Sequence, residues 1–264
     1  MARRVPGGSE HTATWHDQPV FWRAGERDAG APVLYLHGVP TSSDIWPAFL
    51  ERTGGLAPDL PGFGRSGKRG DLDFTLEGYA RFVDEFLRLV HVDRVRLVVH
   101  DWGAAGLVWA QANPERVERL VVIDAVPLLP GYRWHPVARA WRTRALGELV
   151  MGATTRLAMR RVMPRPLADA VWPHFDQGTQ RAILRLYRTS PEARLAAAGA
   201  GLGRIAAPAL VLWGERDPFV PPRFADRYAA ALGDARAERV PGAGHWPWYD
   251  RPEVVDRVAA FLAG

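Results

Sequence analysis

Three side chains able to do chemistry stand in the order carboxylate, carboxylate, imidazole: Asp101, Asp217 and His245. Each follows a short strand-like stretch, apolar before the two carboxylates. Asp101 comes after residues 95–99 as His100-Asp101-Trp102-Gly103, Asp217 after residues 209–213 in Gly214-Glu215-Arg216-Asp217, and His245 after residues 237–240 in Gly242-Ala243-Gly244-His245-Trp246. Carboxylates and imidazole serve nucleophilic and general acid–base catalysis. The chain has no cysteine, so disulfide scaffolding, thiol catalysis and thiolate metal sites are excluded and any nucleophile is oxygen or nitrogen. The histidines lack metal-ligand spacing. Gly62-Phe63-Gly64 follows a proline turn without the helix start of a dinucleotide site. Neither a metal nor an organic cofactor is expected.

The stretches that precede these residues read as strands of a mainly parallel sheet: 33–36, 55–57, 95–99, 120–123, 209–213 and 237–240, with 20–22 as an earlier antiparallel edge. Between them, residues 76–90, 104–112, 222–232 and 252–262 space their apolar side chains three and four apart, which predicts flanking helices. The alternation stops after Val126. Some 80 residues follow with helical patterns and no convincing strand before Pro208, so a helical cap is expected over 127–205, inserted in a core formed by 1–126 and 206–264. The small-residue stretch 196–203 reads as a hinge returning the chain to the sheet. Ligands of open α/β sheets bind beyond the carboxyl ends of the strands, where Asp101, Asp217 and His245 all fall. His37-Gly38-Val39-Pro40 and the loop from Asp59 to Gly67 share that edge.

With 264 residues, 47% hydrophobic and 24% charged, the chain has the composition of one large globular domain. No apolar stretch approaches the roughly 20 residues of a membrane helix, and Arg3-Arg4 is followed by Pro6, Gly7, Gly8 and Ser9 rather than an apolar signal core. A cytoplasmic protein is expected, monomer or homodimer. The net charge of +5 suggests an anionic partner. Its distribution argues otherwise: residues 126–205 hold thirteen arginines against four acids, while the remainder is net acidic. These arginines are scattered without interleaved aromatics and glycines, so a solvated helical face is expected, with no nucleic-acid or membrane partner.

Nucleophile, acid, histidine in this order resembles the α/β-hydrolase superfamily over nearly the whole chain, in the branch of epoxide hydrolases and haloalkane dehalogenases. The resemblance implies an α/β-hydrolase fold and places Asp101 at the nucleophile elbow, where small neighbours permit a sharp strand-to-helix reversal. Val99 stands where glycine is common. Serine attacking a saturated carbon would leave an ether that activated water cannot cleave, whereas a carboxylate leaves a cleavable ester. Asp101 therefore predicts displacement at an sp³ carbon, with His245 activating water and Asp217 orienting the imidazole. The backbone N–H groups of Val39 and Trp102 are expected to receive the oxyanion. Asp124, after another strand, is the alternative acid. His37 and His100 read as loop-orienting residues, and Asp59 as a brace of the Pro61-Gly62 turn.

The leaving group separates the two families. An epoxide oxygen needs tyrosine donors from the cap, and Tyr187 matches the placement of a family cap tyrosine; Tyr132 comes earlier than the pattern would place it. A halide needs N–H donors, and Trp102 could supply one. Val39, however, stands where many dehalogenases have an asparagine, and a substitute would have to be Trp134, Trp141 or Trp172. On Val39 and Tyr187, epoxide hydrolysis ranks ahead of dehalogenation. A hydrolase-fold receptor without turnover is a third reading, against which the complete set Asp101, Asp217 and His245 argues. The expected pocket is lined by Trp102, Phe63, Trp134, Trp141, Phe219 and Trp246, which suits a small apolar substrate and water.

Overall fold

A computed structural model describes residues 3–5, 8–26 and 30–264; Pro6 and Gly7 of the leader reading lie outside them. The chain opens with β1 (Arg3–Val5), β2 (Gly8–Trp15) and β3 (Gln18–Gly25), followed by β4 (Val33–Leu36), α1 (Pro47–Thr53) and β5 (Gly55–Pro58). Then come α2 (Leu76–Leu89), β6 (Val95–His100), α3 (Ala105–Ala112) and β7 (Val117–Ile123). Between β7 and the next strand the chain is helical: α4 (Pro136–Arg142), α5 (Leu146–Gly152), α6 (Arg156–Val162), α7 (Arg165–Val171), α8 (Gln177–Thr189) and α9 (Glu192–Ala198). It ends with β8 (Ala209–Gly214), α10 (Arg223–Ala231), β9 (Ala235–Val240), α11 (Pro247–Asp250) and α12 (Glu253–Ala263).

The nine strands form one sheet in the order β1-β2-β3-β5-β4-β6-β7-β8-β9. Pairing is antiparallel from β1 to β5 and parallel from β5 through β9. Thus β3 lies inside the sheet rather than at its edge. The strands beyond it escaped notice because β2 offers only exposed and half-buried positions, with no apolar run. The central parallel strands are buried on both faces, and β4, β5 and β8 bury every residue, which matches their continuous apolar sequence, while the edge strand β9 is largely half-buried or exposed. From β4 the chain steps to β5 on one side and to β6 on the other, so the loops leaving β4 and β6 diverge at a topological switch point.

Local chemistry sets the helix ends. Thr75 caps α2 by accepting from the Gly78 N–H, and Asp176 caps α8 by accepting from Thr179. The stretch 196–203 returns the chain to the sheet under constraint. A Cβ on Gly199 would meet the Leu128 carbonyl at 1.7 Å, and the Gln111 amide donates to the Ala198 carbonyl and accepts from the Gly201 N–H. These contacts pin the expected hinge to the segment leaving β7 and to α3.

Candidate active site

Asp101 is thrown above the sheet because the chain reverses directly after β6: it takes a left-handed φ of 49° and opens a 3-10 turn that runs into α3. The reversal depends on missing side chains. A Cβ on Gly103 would strike the Leu36 carbonyl at 2.2 Å, and one on Gly38 would strike the Asp101 Cβ at 2.3 Å. Val99 is fully buried at the family's usual glycine position.

Asp101 Oδ2 accepts the Val39 N–H at 2.8 Å, and Oδ1 lies 3.8 Å from His245 Nε2. His245 Nδ1 donates to Asp217 Oδ2 at 2.7 Å. Asp217 Oδ1 accepts from the Phe219 and Val220 N–H groups at 2.7 and 3.0 Å. All three side chains are buried. Burial pushes the Asp101 carboxyl up to about 6, partly opposed by His245 and the Val39 and Trp102 N–H groups. Burial works against the His245 imidazolium, yet the Asp217 carboxylate outweighs it and raises His245 above its ordinary value. Asp217 is held low despite burial, because His245 and two backbone N–H groups favour its charge.

The surrounding histidines brace the loops. His100 Nε2 donates to the His245 carbonyl at 2.8 Å, and burial keeps it neutral, well below its ordinary value. His37 donates from Nδ1 to the Gly38 carbonyl and accepts the Leu60 N–H at Nε2. The Asp59 carboxylate accepts the Arg65 N–H, closing the loop that contains the Pro61-Gly62 turn, and the Ser43 N–H, tying that loop to the one after β4. Asp124, Asp217 and His245 could in principle face a cation, since one atom from each lies within 4.8 Å of the others. The 2.7 Å His245–Asp217 bond already takes up a ligand atom of each.

A cavity of about 210 Å³ opens between Asp101, His245 and the helices that follow β7. Tyr132, Trp134, Trp141, Tyr187, Phe219 and Trp246 all border it. Phe63 and Trp102 do not. Phe63 is sealed in the core, its ring 5.9 Å from that of His37. Trp102 is covered by a stacked Trp134 at 5.5 Å and by the Tyr187 ring at 5.0 Å. Trp172 stacks on Phe175, away from the wall. Sequence reasoning missed His135, Met159, Met163, Phe175 and Ile183 on that wall, since neither the amphipathic helices of this segment nor the turns between them reveal which side chains meet the cavity and which the core.

Donors on the wall differ in what they already hold. Trp134 Nε1 donates to the Ser190 carbonyl, and the Tyr132 hydroxyl makes only a long 3.4 Å bond to the Phe219 carbonyl. The indole N–H of Trp141 is buried with no partner among the described residues, whereas Trp102 lies off the wall with its side chain against Tyr187. Burial, reinforced by the Asp101 charge, raises both the Tyr132 and the Tyr187 phenols, so each stays a protonated donor.

Residues 31–252 match the family described as alpha/beta hydrolase fold. A haloalkane dehalogenase of Bradyrhizobium diazoefficiens is 30% identical over 93% of this chain and 91% of its own length. One from Mycolicibacterium paratuberculosis is 33% identical over 88% of this chain and 83% of its own. With one from Agrobacterium fabrum the identity is 40%, but over half of this chain and 47% of that protein. Among solved structures, a haloalkane dehalogenase from Bradyrhizobium elkani superposes with a TM-score of 0.83 at 26% identity, covering 97% of this chain and 98% of the other.

Proposed function

Because the chain belongs to the α/β-hydrolase family, in its haloalkane dehalogenase-like branch, we propose that it hydrolyses an apolar alkyl halide through an ester on Asp101, releasing halide and alcohol. The observation that carries the ester chemistry is the Asp101 carboxylate itself, with one oxygen on the Val39 N–H and the other free of any hydrogen bond to His245. In the first step Asp101 Oδ1 attacks the carbon bearing the halogen and the carbon–halogen bond breaks. His245 then takes a proton from water as its oxygen adds to the ester carbonyl, and Asp217 stabilises the imidazolium. Negative charge develops on Oδ2, where the Val39 and Trp102 N–H groups receive it. A donor of this kind is worth on the order of 3 kcal/mol of barrier. Collapse breaks the acyl–oxygen bond, the alkoxide takes the proton from His245, and Asp101 keeps the oxygen of water.

Two features support halide as the leaving group. The curated relatives are haloalkane dehalogenases, and the Trp141 N–H, on the cavity wall, is buried with no acceptor among the described residues. An unsatisfied buried donor costs about 1–3 kcal/mol, and a departing anion would relieve it. Of the cap tryptophans weighed as a substitute for the missing asparagine, Trp141 fits, since Trp134 is already engaged. Epoxide opening to a diol, ranked first on sequence grounds, is the second reading. It draws on Tyr132 and Tyr187, whose rings border the same cavity as Asp101. On either reading we divide the chain into a core of 1–126 and 206–264 and a lid of 127–205. Incubation with a bromoalkane and, separately, with styrene oxide decides the leaving group. Bromide release without diol is the expected result; diol formation alone would reverse the order, and neither product would defeat both.

A further inference from the structure

Asp124 plays no part in the steps above, yet it is wholly buried against them. It follows β7 in a left-handed conformation, φ 41°, and its Oδ1 accepts the Gly214 N–H at 2.9 Å. Its Oδ2 is sealed from solvent with no donor among the described residues. One oxygen of Asp124, one of Asp217 and a ring nitrogen of His245 lie within 4.8 Å of one another. Two carboxyl groups this close, shut away from water, cannot both be ionised, and the shared proton settles on the one with fewer donors. Asp217 has three donors, from Phe219, Val220 and His245; Asp124 has one.

We propose that Asp124 is a neutral carboxylic acid that donates its proton as a hydrogen bond to Asp217, and so acts as a positioning residue for the Asp217–His245 pair. The groups that face it agree with this: burial and the negative charges of Asp217 and Asp101 drive its carboxyl well above the ordinary range, opposed by the Gly214 N–H. A neutral donor on Asp217 draws off part of its negative charge. That moderates how tightly Asp217 holds the His245 imidazolium and leaves the imidazole neutral, ready to act as base, at lower pH.

The inference rests on the reading of His245 as base, so one arm of its test is independent of turnover. Infrared difference spectra of wild type against Asp124→Asn at pH 8 should show the C=O stretch of a protonated carboxylic acid lost in the variant; absence of that band overturns the proposal even if no substrate is turned over. In the kinetic arm, Asp124→Ala strips Asp217 of its donor. The acid limb of the kcat profile should move up by about one pH unit, with kcat up to about tenfold lower well on the acid side of that limb. Asp124→Asn, whose amide can still donate, should restore both. If Asp124 is instead a second charge, both variants move the limb down. If it is the true orienting acid, Asp124→Asn abolishes turnover while Asp217→Asn preserves it. Either result refutes the proposal, and the infrared arm stands if the alanine variant fails to fold.

Discussion

Replacing Asp101 with asparagine should stabilise the protein, and by an amount that depends on pH. The residue is 5% exposed, and burial lifts its carboxyl from 3.8 to about 6. Holding that group ionised in the folded state costs roughly 3 kcal/mol relative to the unfolded chain. The sign follows from the raised folded value: the cost is absent below pH 3.8, grows between 3.8 and 6, and is complete above 6. Asparagine tolerates the left-handed backbone as aspartate does, and its carbonyl can still accept the Val39 N–H, so the exchange removes charge and little else. At pH 8 the variant should gain about 3 kcal/mol, or roughly 5–10 °C in Tm for a domain of this size. At pH 4 the gain should shrink below about 1 kcal/mol. Thermal unfolding of both proteins by circular dichroism at the two pH values checks this. An asparagine variant that is less stable at pH 8, or equally stabilised at both, would refute the claim that the site stores the cost of a desolvated nucleophile.

Other outcomes follow from the same geometry. Single-turnover alkylation should rise as pH passes about 6, where Asp101 ionises. Ester hydrolysis should rise only above pH 6.5, because Asp217 raises His245 and the base must be neutral; rapid quench across pH 5–9 would separate the limbs, and coincident limbs would contradict the assignment. Trp141→Phe should cut kcat/KM for a bromoalkane about tenfold or more by removing an unpaired donor, while Tyr187→Phe should cost a halide substrate less than an epoxide. Gly38→Ala would drive a methyl group into the Asp101 side chain. It should cost about 1–3 kcal/mol in denaturant unfolding and nearly all turnover.

The chemistry was legible where it hung on the parallel strands. Asp101 and Asp217 each follow a continuous apolar run and His245 follows a short mixed strand, and the carboxyl edge of such a sheet brings them together whatever the details of packing. Val39 could be placed because its contribution is a backbone N–H, fixed by the loop leaving β4. What depends on facing direction was not legible. Phe63 and Trp102 have the residue types of a pocket wall, yet tertiary packing sends one into the core and roofs the other with Trp134. Met159 and Ile183 reach the cavity from α6 and α8, whose several apolar positions looked equivalent. The closeness of Asp124 to Asp217 depends on the pairing of β7 with β8, which no local pattern reports, and β2 lacked the apolar run by which the other strands were found.

The proposed chemistry requires an ester to form on one carboxylate. His245→Gln should leave alkylation intact and remove the base that hydrolyses its product. Incubated with a bromoalkane and analysed by intact mass and peptide fragmentation, this variant should gain the mass of one alkyl group, located on Asp101. No stable adduct, or an adduct on any other residue while wild type releases bromide, would contradict it.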